Sequence, residues 1–177
     1  MTHEEKADHI KEFKEMIEAI HGEQSTLLVE TGTFVGDMVN DHLDVFDYII
    51  SIELSFELFC RSSIRFKYND KVLLAFGSSP VVLKTLLPQI KKQPVIYWLD
   101  AHYSGGETAG DPVNYPVIEE LKIIFDNKNT VKPFILIDDY LCLMGLEEQI
   151  KDIAEKNGYR YFVYCDTIIE LIPNITK

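Results

Sequence analysis

Apolar positions along the chain follow two different periods. Within residues 3–21, HEEKADHIKEFKEMIEAIH, the side chains Ile10, Phe13, Met16, Ile17 and Ile20 recur at helical spacing. Thr2 and Glu5 stand as a capping box, and Gly22 is placed to end the helix. The pattern predicts an amphipathic leading helix over 1–22 with its charged face turned to solvent. From residue 25 short apolar runs alternate with helical stretches: TLLVE (26–30), YIISIE (48–53), VLLAF (72–76), VIYWLD (95–100) and FILID (134–138). Continuous apolar runs separated by helices predict parallel strands covered on both faces. YRYFVY (159–164) and TIIELI (167–172) have only Cys165 and Asp166 between them, the spacing of an antiparallel hairpin. The expected fold class is therefore α/β: five strand–helix units and a terminal hairpin, with no repeat or linker, forming one domain over 1–177.

Composition narrows the picture. At 177 residues the chain has material for one sizeable core, and no apolar run reaches the roughly 18 residues of a membrane span. MTHEEKADHIKEF lacks the apolar centre of a signal peptide, so a cytoplasmic address is expected. Cys60, Cys142 and Cys165 are too widely spaced for a disulfide framework or a structural zinc site. Cys60 and Cys165 lie among apolar neighbours and read as buried, inert thiols. Asp and Glu number 29 against 17 Lys and Arg, a formal charge of −12. That balance argues against a nucleic-acid partner and suits a small cationic ligand or a metal ion.

Candidate chemistry collects at the predicted carboxyl ends of the strands. Glu30 closes the first, and Gly32 and Gly36 bound the turn that follows, VETGTFVG. Alone, that spacing serves a tight turn as well as a backbone pressed against a ligand. Glu53, 23 positions beyond Glu30, ends the second strand, where a carboxylate can accept both hydroxyls of a ribose. After the third strand, GSSP (77–80) either caps a helix, with Ser79 before Pro80, or borders a nucleobase. Asp100 ends the fourth strand and Asp138 and Asp139 the fifth. If these strands are neighbours, three carboxylates converge and call for something positive between them, such as Mg²⁺. The alternative is one helix cap and one solvated Asp. His102 reads as a metal ligand, a general base or a surface imidazole. The polar loop 102–116, with three glycines and two prolines, is a candidate active-site lid.

Taken together, ETGTFVG, IE (52–53), GSS (77–79), LDAH (99–102) and IDDY (137–140) resemble the motifs of class I S-adenosylmethionine-dependent methyltransferases. The first motif resembles the E-x-G-x-x-x-G form of the metal-dependent O-methyltransferases, and WLDAHYSGGETAGD resembles a group of uncharacterised bacterial methyltransferase-like proteins. The resemblance spans residues 25–172. It implies a Rossmann-like three-layer sandwich with strand order 3-2-1-4-5-7-6. It further implies that Glu30, Gly32, Thr33 and Gly36 surround the methionine part of the cofactor, that Glu53 binds the ribose, and that Ser78 and Ser79 border the adenine. Asp100, counted with the cofactor set as well, joins Asp138 and Asp139 as the Mg²⁺ ligands. The family's catalytic lysine falls on Tyr103, and His102 is the substitute base.

The expected function is methyl transfer to an oxygen of a small hydroxylated acceptor, such as a sugar or polyol, assisted by a divalent metal. No membrane or nucleic-acid partner is expected, and a homodimer is compatible with the short chain. Two other classes remain open. Asp-Ala-His at 100–102 resembles the metal-binding motif of nucleotide-sugar transferases, and a relative lacking the lysine can be an inactive cofactor-binding module.

Overall fold

The computed structural model describes residues 1–22, 24–101, 115–129 and 131–174. Helix α1 (His3–His21) precedes β1 (Leu27–Thr31), α2 (Asp37–Asp41), β2 (Tyr48–Glu53), α3 (Phe56–Arg65), β3 (Val72–Phe76), α4 (Ser79–Leu86) and β4 (Val95–Leu99). There follow α5 (Val117–Asp126), β5 (Phe134–Ile137), α6 (Glu147–Lys156), β6 (Tyr159–Tyr164) and β7 (Ile168–Pro173). Short 3₁₀ turns at Leu87–Gln89 and Tyr140–Leu146 lead out of α4 and into α6. The seven strands form one sheet of order β3-β2-β1-β4-β5-β7-β6, parallel except for the pairings of β7 with β5 and β6. This is the Rossmann-like sandwich that the sequence predicts.

Strand periodicity decides which side chains meet which helices, because successive residues point to opposite faces. Leu27, Val29, Ile52, Leu99 and Ile137 join the core beneath α4, α5 and α6. Leu28, Ile49, Ile96, Trp98 and Leu136 join the opposite core, with Ala7, Ile10, Phe13 and Ile17 of α1. Every residue of β1, β4 and β5 is buried, which is why β4 and β5 read as unbroken apolar runs and β1 does so up to Glu30. Between β6 and β7, Cys165 and Asp166 both take positive φ (49° and 51°), the backbone of a type I′ turn. Cys165 is exposed there and Cys60 is half-buried, so the reading of both as buried thiols is corrected; all three cysteines are free.

Helix α1 begins as its sequence dictates. Glu5 N donates to Thr2 Oγ1 at 3.2 Å, Thr2 N donates to Glu5 Oε2 at 2.7 Å, and Gly22 closes the helix at φ 65°. Its polar face departs from expectation. The ring of His9 stacks on Tyr164 at 3.9 Å and meets Glu170 Oε1 at 2.9 Å, and Lys6 turns inward to the tip of β5. The helix is pinned along the sheet from β5 to β7, and part of the face read as solvated is buried. No helix among the described residues is long and apolar enough to cross a membrane.

Candidate functional site

The site is built where the strand tips fan apart. Gly32 N donates to Ile52 O at 2.9 Å, Asp100 N to Thr31 O at 2.9 Å, and Asp138 N to Leu99 O at 3.0 Å. These bonds carry the sheet's register one step beyond its strands, and they bring Gly32, Asp100 and Asp138 side by side. A Cβ on Gly32 would strike the Asp100 carbonyl, reaching its carbon at 2.9 Å, and the residue's φ is +92°. The glycine is therefore demanded by the neighbouring backbone. Gly36 (φ +82°) closes the turn by donating to Thr33 O at 2.8 Å, and its bare face packs on Phe66. The helix it starts, α2, is only five residues long.

Beneath the turn lies a buried polar network. Ser51, the register partner of Glu30 on β2, donates to Glu30 Oε2 and lies 2.6 Å from Thr33 Oγ1. Glu53 accepts from Phe34 N at 2.8 Å through one carboxylate oxygen and from Ser55 N at 2.7 Å through the other. It thus clamps the glycine turn to the start of α3, and each oxygen keeps lone-pair capacity toward the crevice. Ser78, rather than Ser79, is the N-cap of α4, so the predicted cap is one residue late. Ser78 is exposed, whereas Ser79 is buried and faces α5.

What Ser79 faces is Glu120, a residue that the motif reading passed over. Val117, Glu120, Leu121 and Ile124 form the buried stripe of α5. One carboxylate in an otherwise apolar stripe was the signal available in the sequence. Glu120 is 1% exposed, and its Oε1 finds no hydrogen-bond partner among the described residues. Burial pushes its pKa to about 7, opposed by the Ser79 and Thr31 hydroxyls and reinforced by Asp100. Thr31 Oγ1 is near enough to act on the charge, yet it completes no hydrogen bond. Burial likewise raises Glu30 to about 8, opposed by Ser51 and reinforced by Asp100 and Glu53. The charge of Asp100 thus acts on both buried carboxyls.

These shifts predict a pH dependence of stability. Both carboxyls titrate above the ordinary value of 4.5 when folded. The folded state therefore keeps protons that the unfolded chain sheds, and stability falls as pH rises toward their folded values. Between pH 6.5 and 8.5 urea unfolding should show a loss of about 2 kcal/mol, at about 1.4 kcal/mol per unit and group. Buried His42, whose pKa is lowered, is already neutral across that window. Glu30→Gln and Glu120→Gln should each flatten the slope. A stability that rises over the same range would contradict the assignment.

The expected metal centre takes a different form. Asp138 Oδ2 lies 2.5 Å from Lys6 Nζ, and Asp138 Oδ1 accepts from Asp139 N at 2.8 Å. Asp139 Oδ1 is 3.5 Å from the same ammonium. Burial opposes the charge on Lys6, but the hydrogen bond and the fields of Asp138, Asp139 and Asp100 raise its pKa overall. Among the described residues no three His, Cys, Asp or Glu side chains are grouped to hold a metal. The residues as placed do not fit Mg²⁺, because a lysine already occupies the position between the carboxylates. Asp138 and Asp139, expected as metal ligands, are thus bonded to Lys6 as the side chains stand. His102, Tyr103 and loop positions 102–114 lie outside the described residues. Tyr115 and Pro116 line a narrow cleft with Asp100, Glu120, Asp138 and Cys142.

Neither a family profile nor a curated protein matches the chain. Solved structures do. A Staphylococcus aureus protein provisionally assigned as a caffeoyl-CoA O-methyltransferase aligns over 98% of this chain and 85% of its own, at 12% identity and a TM-score of 0.66. A Bacillus cereus O-methyltransferase in complex with S-adenosylhomocysteine aligns over 93% and 80%, at 13% identity and a TM-score of 0.63. Human methyltransferase-like protein 13, also in complex with S-adenosylhomocysteine, aligns over 84% and 72%, at 12% identity and a TM-score of 0.61. At such identities the likeness establishes the fold: the chain has the class I fold of S-adenosylmethionine-dependent methyltransferases.

Proposed function

We propose that the chain is an S-adenosylmethionine-dependent methyltransferase acting on an oxygen of a small hydroxylated acceptor, such as a sugar or polyol. The observation that carries this reading is the carboxylate crevice around Gly32. Burial, and then the charge of Asp100, raise the proton affinity of Glu30 and Glu120 there, and Glu120 Oε1 has no partner among the described residues. A crevice of that character is discharged by a ligand bearing ammonium and sulfonium charge, and it repels a diphosphate. The nucleotide-sugar reading is disfavoured on the same ground.

In this reading Glu53 receives the ribose hydroxyls, with its two oxygens held in place by Phe34 N and Ser55 N. Gly32 and Gly36 keep the turn bare of side chains, and Thr33 fixes it from below through Ser51. Exposed Leu54 and Ser78 border the adenine, and Ser79 orients Glu120 instead. The cofactor supplies a methyl group on a cationic sulfur. Glu120, with a pKa near 7, can hold a proton from the acceptor hydroxyl at neutral pH. The formal charge of −12 favours a small acceptor over a nucleic acid, and we place the chain in the cytoplasm.

Transfer of labelled methyl groups to a panel of polyols and sugars, with chelator present, tests the proposal. Turnover on at least one hydroxylated acceptor is expected. Cofactor binding with no turnover across the panel would instead mark an inactive cofactor-binding module.

A further inference from the structure

We infer that the Lys6 ammonium is a built-in cation at the tip of β5, paired with aspartates that would otherwise call for a divalent metal. Its role toward the acceptor rests on the methyl-transfer reading above; its role toward the aspartates does not. Three observations carry the inference.

The first is placement. The capping box sets the first turn of α1, with Lys6 N donating to Thr2 O at 3.1 Å. Ala7, Ile10, Phe13 and Ile17 then lock the helix to the sheet. The Ala7 carbonyl also meets Nε2 of the buried His42 at 3.1 Å, and Asp41 meets His3 Nε2 at 2.9 Å. Lys6 is therefore aimed by a fixed helix and does not wander on a surface. Asp138 lies two residues beyond Leu136, whose side chain faces α1, so strand parity turns its carboxylate toward the same helix.

The second is the state of the carboxylates. The Asp138 side chain is 2% exposed and that of Lys6 17%, so the pair is shielded from water. One oxygen of Asp138 is held by Lys6 and the other by Asp139 N. A divalent ion takes hard oxygen ligands in near-octahedral array at about 2.1 Å. The ammonium fills that position with one charge and three donors.

The third is the pocket itself. Asp138 and Asp139 line the cleft shared with Asp100, Tyr115 and Glu120. Lys6 does not line the cleft itself; from the α1 side it neutralises Asp138 and Asp139, so that wall carries one positive charge against its carboxylates. Lys6 in this sense sets the charge of the wall that an acceptor would meet, supplied by a helix that the strand-tip motifs do not include.

Mn²⁺ binding, followed by electron paramagnetic resonance on the full chain, tests the inference without requiring turnover. Wild type should show no site that Asp138→Asn removes. Lys6→Met should gain Mn²⁺ affinity by at least ~10-fold, since a positive charge a few ångströms from the dication has been withdrawn. Asp138→Asn in the Lys6→Met background should abolish the gain, and Lys6→Arg should behave as wild type. The inference is overturned if wild type binds Mn²⁺ as tightly as Lys6→Met, or if a folded Lys6→Met gains nothing. Should Lys6→Met not fold, an Mn²⁺ site in wild type that Asp138→Asn removes overturns it, and no such site upholds it. S-adenosylhomocysteine titrations on the same preparations report on the methyl-transfer reading separately.

Discussion

Replacement of Gly32 by alanine is expected to cost on the order of 2–4 kcal/mol of stability and to abolish binding of S-adenosylhomocysteine. A single methyl group suffices because both objections apply at once. The residue holds φ at +92°, a conformation that L side chains rarely adopt, and its Cβ would collide with the Asp100 carbonyl. Relief requires β1 and β4 to separate at their tips. That movement would break the donations of Gly32 N to Ile52 O and of Asp100 N to Thr31 O. Urea unfolding and calorimetry on the same sample separate the two losses. An alanine variant with wild-type stability and binding would show that the turn is looser than its contacts indicate.

Glu53→Ala is expected to weaken S-adenosylhomocysteine binding by at least ~100-fold. Two hydrogen bonds from ribose hydroxyls to a carboxylate, at about 1.5–3 kcal/mol each, account for that loss. The variant should also lose about 2 kcal/mol of stability, because Phe34 N and Ser55 N are left without their shared acceptor. Glu53→Gln distinguishes the two roles. It keeps an acceptor oxygen for one of the backbone donors, so it should recover part of the stability and little of the affinity. Equal loss of both quantities in Ala and Gln would reduce Glu53 to a structural clamp.

The fold was legible in the sequence where burial is complete. β4 and β5 are covered on both faces, so each left an apolar run with no polar interruption, and β1 did so as far as Val29. The capping box of α1 was legible because it is local, formed by residues three apart. Glu30, Gly32 and Glu53 could be placed at strand tips for the same reason. The position of Lys6 was not legible: its partner lies 132 residues away, and only the order of the sheet brings α1 over β5. Within its own helix Lys6 looks like any solvated charge. Glu120 was legible in principle, since helical periodicity alone puts it in the buried stripe of α5. It carries no motif, however, and it sits within a helix, away from the strand tips where the recognisable motifs stand. Lys6 also bears on the metal expectation: clustered carboxylates need a positive partner, and the chain supplies one to Asp138 and Asp139 itself.

If the crevice around Gly32 holds S-adenosylmethionine or its product, calorimetric titration of the wild-type chain with S-adenosylhomocysteine will show it, with a nucleoside-diphosphate sugar plus Mn²⁺ as the comparison. Saturable one-to-one binding of S-adenosylhomocysteine is expected in the presence of chelator, and none of the nucleotide sugar. No binding of S-adenosylhomocysteine, or binding of the nucleotide sugar in its place, would contradict that reading of the crevice.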